Sequence, residues 1–218
     1  MIVAINNIAK FDRDQDLSFC SGVLVRENKG YDFAAWATAI RLIPDINRVG
    51  VLVMANDSVF GPLSGFTNFL GRMIESPADL VGAIGSRQNR PHTQSFLLMF
   101  KPKALLSSAF GQFWHGIRNG DREWAIVNYE LKLKKHFMDH GLSVEEIFTT
   151  PSYLSNNTNP SLLLWKELVE QGFPFVKVQL LRDNPLQEDL TGWQEFLDRH
   201  EYDPKIVERY ISSLDLYR

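Results

Sequence analysis

The chain has 218 residues, 44% of them hydrophobic and 22% charged, with a formal net charge of -3. This is ordinary globular composition, enough for one large α/β domain with its own core. Nearly balanced charge, with no basic run or stripe, gives no sign of a nucleic-acid partner, and a single cysteine, Cys20, excludes an internal disulfide framework and a Cys-based metal site. No stretch approaches the ~20 apolar residues of a spanning helix. The opening MIVAI is shorter than the ~7–15 apolar residues of a signal-peptide core. A cytoplasmic protein is the expectation. His136 and His140 lie one helical turn apart, but the glutamate of an HExxH zinc motif is absent.

In chain order, Ile2 to Ile5 reads as a short strand ending in Asn6-Asn7, and Ala9 to Ser18 as a charged loop or poor helix. Gly22 to Val25 is a second strand. Gly30 permits a turn that other residues resist, and Asp32 is the expected N-cap of an alanine-rich helix through Trp36 to Leu42. Val49 to Met54 is almost wholly apolar, which predicts a central strand covered on both faces. Pro62 is expected to open a helix with Leu63, Phe66, Leu70 and Met73 at helical spacing. Leu80 to Ile84 and Gln94 to Phe100 read as strands.

Asp121 to His140 reads as the longest helix, stopped by Gly141, with Ile126, Val127, Leu131, Leu133, Phe137 and Met138 on one stripe. The basic Lys132-Leu133-Lys134-Lys135 is then a solvated helix face. Glu130 falls in the middle of the apolar stripe. Either the register differs there and the side chain reaches the edge, or a rigid helix aims a carboxylate into a cleft. Val144 to Phe148 is a further strand. Asn159-Pro160 is an N-cap followed by Pro at the first helical position. Two amphipathic helices close the chain, around Leu190, Trp193 and Leu197, and from Asp203-Pro204 to Leu214. The expectation is one domain over residues 1–218, a sheet core over 1–150 and a helical extension over 151–218.

Two polar clusters follow apolar strands, which in open α/β sheets is where ligands bind. The first is Arg26, Asn28, Gly30 and Asp32. Arg26 either meets a ligand phosphate or carboxylate, or pairs with Asp57 or Asp32 and ties strand ends together. The second is Asn56-Asp57-Ser58. It can hold Mg²⁺ or Mn²⁺ beside a diphosphate, bind sugar hydroxyls, or serve as an Asx turn. Gln94 and Ser95 suit a core edge as well as a ligand contact. No GxGxxG, P-loop or GxSxG is present, so dinucleotide, ATP and serine-hydrolase readings lack their signatures.

Taken together, Arg26 to Asp32, Asn56 to Pro62, Gln94-Ser95-Phe96, Asn128-Tyr129-Glu130, Asn159-Pro160 with Trp165, and Gly172 to Lys177 resemble the rhamnan synthesis protein F family over nearly the whole chain. That family is associated with rhamnose-containing and other cell-surface polysaccharides and is similar to GT-A glycosyltransferases. The resemblance implies a GT-A-like α/β fold, a mixed, mostly parallel sheet flanked by helices. It implies transfer of a sugar from a nucleotide-diphosphate donor to a growing glycan of rhamnan or lipopolysaccharide O-antigen type. The acceptor is a glycan or lipid-linked glycan, with the protein in the cytoplasm or peripheral at the inner membrane face. Arg26, Asn28, Gly30, Asp32, Asn56, Asp57, Ser58, Gln94 and Ser95 then line the donor, and Glu130 is the general base of an inverting displacement. Asp57 stands where the relatives carry a two-acid metal motif, so a Mg²⁺ or Mn²⁺ ion is implied while the single acid puts metal dependence in doubt. Ile2 to Ile5 looks like the second strand of such a fold. The strand before it is expected to be missing, and the open edge favours homo-oligomers. The competing reading is a non-catalytic glycan-binding or scaffold subunit of a polysaccharide assembly complex.

Overall fold

The computed structural model describes residues 1–6 and 16–215. Asn7 and most of the stretch from Ala9 to Ser18 lie outside the described residues. The elements run β1 (Ile2–Ile5), β2 (Gly22–Val25), α1 (Tyr31–Arg41), β3 (Leu52–Ala55), β4 (Val59–Phe60), α2 (Phe66–Glu75), β5 (Leu80–Ser86), β6 (His92–Thr93) and β7 (Leu97–Phe100). They continue with α3 (Pro102–Leu105), α4 (Ser108–His115), α5 (Arg122–Ala125), a π-helical turn (Ile126–Glu130), α6 (Leu131–Asp139) and β8 (Val144–Phe148). The chain closes with α7 (Pro160–Leu163), α8 (Trp165–Glu170), β9 (Val176–Lys177), α9 (Val178–Asp183), α10 (Trp193–Arg199) and α11 (Pro204–Asp215).

The architecture is mixed α/β. The largest sheet has the order β3-β7-β5-β6, with β8 also paired to β5. β1 and β2 pair in parallel, whereas β5/β6 and β4/β9 are antiparallel. A mostly parallel sheet is therefore not what these pairings describe. β3 ends the strand order, and Val51 and Val53 are 47% and 48% exposed. The expected central strand covered on both faces is instead, among the described residues, an edge strand, shorter than its apolar run.

The residues group into two compact units, one of Met1–Met54, Ala78–Leu80 and Leu98–Glu145, the other of Ala55–Pro77, Val81–Leu97 and everything from Glu146 onward. In the first unit α1 buries the consecutive run Phe33 to Ala37. Small alanines let neighbours approach on more than one side, while Phe33 and Trp36 fill the larger gaps. The rings of Phe33, Trp36, Phe113 and Trp114 pack largely edge-to-face, with Phe33–Trp36 centroids 5.3 Å and Phe113–Trp114 centroids 5.1 Å apart. Each such side chain contributes about 1.5–3 kcal/mol on burial. Gly30, not Asp32, occupies the N-cap of α1, with φ +81°. Asp32 sits in the first turn, where a negative charge meets the positive end of the helix dipole.

The long helix expected over Asp121 to His140 is interrupted by the π-helical turn. An extra residue in that turn shifts the register of all that follows. Tyr129 is consequently buried, while Val127 and Met138, expected on the apolar stripe, are 41% and 53% exposed. Asp121 caps the start by accepting from the Trp124 N–H at 2.7 Å, and Gly141 ends the helix with φ +75°.

In the second unit α2 begins after Gly65, whose φ is +86°, and not at Pro62. Phe69, Phe96, Phe148, Phe173 and Phe175 form an aromatic cluster in which Phe148 and Phe173 lie 5.3 Å apart. A second core joins Phe60, Trp165, Val176, Phe196 and Val207. The expected strand from Gln94 shortens to β7, and β9 runs directly into α9.

Candidate functional site

Within the first unit, Arg26 follows β2 and joins strand ends. Its backbone N–H donates to the Ile5 carbonyl at 2.9 Å, Nη1 donates to Asn6 Oδ1 at 2.9 Å and Nη2 to the Lys29 carbonyl at 2.7 Å. Burial lowers the guanidinium from its ordinary value, but an arginine stays charged throughout the usable pH range. Arg26 thus ties the ends of β1 and β2 together through Ile5, Asn6 and Lys29, not the two polar clusters through Asp32 or Asp57. Asn28 is exposed and Asp32 half-buried.

Gly30 and Tyr31 both have positive φ, +81° and +51°. For Tyr31 that conformation costs about 1–2 kcal/mol. A Cβ on Gly30 would stand 2.7 Å from Ala34 Cβ and 3.1 Å from Asn119 Cα. Only glycine lets the turn press this closely on the loop before α5. That loop is held by Tyr129, whose hydroxyl accepts the Arg118 N–H at 2.8 Å and donates to the Arg118 carbonyl at 3.1 Å. Trp124 Nε1 makes a longer contact of 3.4 Å to the same oxygen. Glu130 is the last residue of the π-helical turn and is half-buried. The first of the two alternatives for Glu130 describes what is seen here: the register differs, and the side chain is half-buried at the end of the turn.

Within the second unit, Asn56 leaves β3 by donating its N–H to the Phe96 carbonyl at 3.1 Å. Asn56 Oδ1 accepts the Ser58 N–H at 3.1 Å and the Ser58 hydroxyl at 2.7 Å. This is an Asx turn with Asp57 exposed at its tip. The turn leads into β4 and not into a helix. Gln94 is 3% exposed, and its amide is engaged at both ends: Nε2 donates to Asn159 Oδ1 at 3.0 Å and Oε1 lies 3.0 Å from Ser161 Oγ. Asn159 Oδ1 also caps α7 through the Ser161 N–H at 3.1 Å. Gln94 therefore anchors a helix start, and Ser95 is buried beside it.

Four residues outside the set expected to line the site emerge here. Lys177 of β9 pairs in register with Val59, and its ammonium lies 4.4 Å from the Phe96 ring centroid. Arg87 Nη2 donates to the carbonyls of Pro151, Ser152 and Leu154 at 2.8, 3.1 and 3.0 Å. It fastens one polar loop to the loop after β8. Thr93 donates to Glu146; the Thr93 methyl occupies the space left by Gly82, and the Glu146 side chain that left by Gly85. Strand pairing creates these contacts, and no local motif announces them. The first unit also holds a cleft of about 410 Å³ bordered by Ile40, Arg41, Asp45, Leu106, Phe110 and His115, and none of the expected site residues lines it.

Among the described residues no group of three His, Cys, Asp or Glu side chains is placed to hold a metal. A single carboxylate is still compatible with Mg²⁺, which retains waters and takes further oxygens from a substrate's phosphates. Asp57 is the residue at the implied motif that could bind in this way.

These turns and half-buried carboxylates sit on a mixed α/β protein. The family model described as Rhamnan synthesis protein F matches residues 1–216, and the chain belongs to that family, with a role in rhamnan or polysaccharide synthesis. It is 30% identical over 215 residues to virulence protein VirA of Vibrio anguillarum, covering 84% of this chain and 67% of the relative. It is 28% identical over 161 residues to the uncharacterized protein y4gN of Sinorhizobium fredii, covering 71% of this chain and 42% of that relative. No solved structure matches. Among the described residues no helix is long and apolar enough to cross a membrane.

Proposed function

We propose that this chain is a glycosyltransferase of GT-A-like fold that moves a sugar from a nucleotide-diphosphate donor to a hydroxyl of a growing cell-surface glycan. The observation that carries the reading is the family match over residues 1–216, which includes every candidate residue. In this reading Glu130 removes the acceptor proton, and the acceptor oxygen attacks the anomeric carbon as the diphosphate leaves. The rigid π-helical turn, braced by Tyr129, supports that role because a general base must be held in one geometry. Asn56, Asp57 and Ser58 serve the diphosphate, and Asn28, Gly30 and Asp32 the nucleotide. A Mg²⁺ or Mn²⁺ ion bound by Asp57 would offset phosphate charge. The acceptor is a glycan or lipid-linked glycan met at the cytoplasmic face of a membrane.

One observation favours the second reading, a glycan-binding or scaffold subunit. Arg26 and Gln94, both assigned to the donor, direct hydrogen bonds at protein groups. Titration with a panel of nucleotide sugars, with and without Mn²⁺, separates the two. Saturable binding that weakens in Asp57→Ala supports the transferase, and no binding to any donor leaves the scaffold.

A further inference from the structure

We propose that Lys177 is a diphosphate-binding residue, a role that rests on the transferase reading and deepens it. Three contacts place it beside the Asn56-Asp57-Ser58 turn. Its Cα pairs with that of Val59, the residue after Ser58. The next residue, Val178, donates its N–H to the Ser58 carbonyl at 3.0 Å. Its ammonium lies 4.4 Å from the ring centroid of Phe96, whose own carbonyl accepts the Asn56 N–H. Lys177 and the turn thus share the same floor. The Phe96 ring, 2% exposed, lies under the lysine ammonium, and the Lys177 side chain is half-buried.

The chemistry of the turn calls for such a cation. A nucleoside diphosphate carries several negative charges, and its charge grows as the bond from the anomeric carbon to the diphosphate oxygen breaks and the electron pair passes to that oxygen. The acceptor oxygen forms the new bond to carbon, and its proton goes to the base. A two-acid metal motif answers this charge with a tightly held divalent ion. Here one acid is present, and Asp57 alone adds a negative charge to the neighbourhood. An ammonium on the adjacent strand supplies a fixed positive charge that needs no metal.

The test is binding of UDP, GDP and dTDP to the full chain in Mg²⁺ and in EDTA, for wild type, Lys177→Met and Lys177→Arg, with thermal unfolding as a check on folding. At least one nucleoside diphosphate should bind wild type in EDTA. Lys177→Met should lose about tenfold or more in affinity there, and Lys177→Arg should recover most of it. Lys177→Met binding as wild type does would overturn the assignment while leaving the transferase reading intact. Wild type binding only in Mg²⁺, or no nucleoside diphosphate at all, would also overturn it. Sugar transfer is assayed separately, so loss of the transferase reading with Lys177-dependent binding retained would be recognised.

Discussion

The Tyr129 hydroxyl clasps the backbone of Arg118 from both sides, accepting its N–H at 2.8 Å and donating to its carbonyl at 3.1 Å. The ring beneath is fixed in the aromatic core, 5.6 Å from Phe33. One side chain therefore joins the π-helical turn, the loop before α5 and the core. Tyr129→Phe keeps the ring and leaves both Arg118 groups without this partner. It should lower stability by about 1–3 kcal/mol in urea unfolding. An unchanged midpoint would show that water replaces the hydroxyl at no cost.

Gly30 and Gly141 both have positive φ but differ in surroundings. A Cβ on Gly30 would crowd Ala34 and Asn119, whereas Gly141 has nothing within 4 Å. Gly141→Ala should cost about 1–2 kcal/mol, the left-handed penalty alone. Gly30→Ala should cost about 1–3 kcal/mol more, because overpacking adds to it. Equal losses in thermal unfolding would contradict the close approach to Asn119.

Gln94 and Asn159 form a buried pair in which the capping oxygen of α7 is also the acceptor for Gln94 Nε2. Asn159→Ala should cost about 2 kcal/mol through loss of the cap and an orphaned amide. Because the two side chains act together, a double-mutant cycle with Gln94→Ala should give a coupling of about 0.5–3 kcal/mol. Strict additivity would argue against a shared network.

Asp79 is 7% exposed and sits between Ser143 and Lys103. Burial pushes its carboxyl up, but the Ser143 N–H, the Lys103 ammonium and the Ser143 hydroxyl together outweigh this and hold it below the usual carboxylate value. A folded-state value below the unfolded one means that the stabilisation is fully present above about pH 3.9 and is lost as pH falls through the folded value. Unfolding midpoints measured from neutral pH down to about pH 3 should fall more steeply for wild type than for Asp79→Asn. Parallel curves would remove Asp79 as a contributor.

Strands that lie between polar turns are legible in the sequence to the residue: Ile2 to Ile5, Gly22 to Val25 and Val144 to Phe148. Asn159-Pro160 is legible as a helix start because its chemistry is local. The edge position of β3 is not, since an apolar run such as Val49 to Met54 specifies burial without saying which strands pair beside it. The π-helical turn is also hidden. A regular period of about 100° per residue places Val127 inside, and one inserted residue moves it out. At the candidate site, the turn at Asn56 to Ser58 is readable from composition. The engagement of Arg26 with Asn6 and of Gln94 with Asn159 depends on chain segments that come together only on folding. Lys177 is hidden for the same reason, because its place follows from the pairing of β9 with β4.

The central claim is sugar transfer with Glu130 as base, and the most direct measurement is transfer from a panel of nucleotide sugars to a rhamnose-containing glycan by wild type and Glu130→Gln. The account predicts that wild type transfers from at least one donor, and that Glu130→Gln loses about 10²–10⁴-fold in kcat with donor affinity retained. Transfer by Glu130→Gln at the wild-type rate, or no transfer by wild type from any donor, would contradict it.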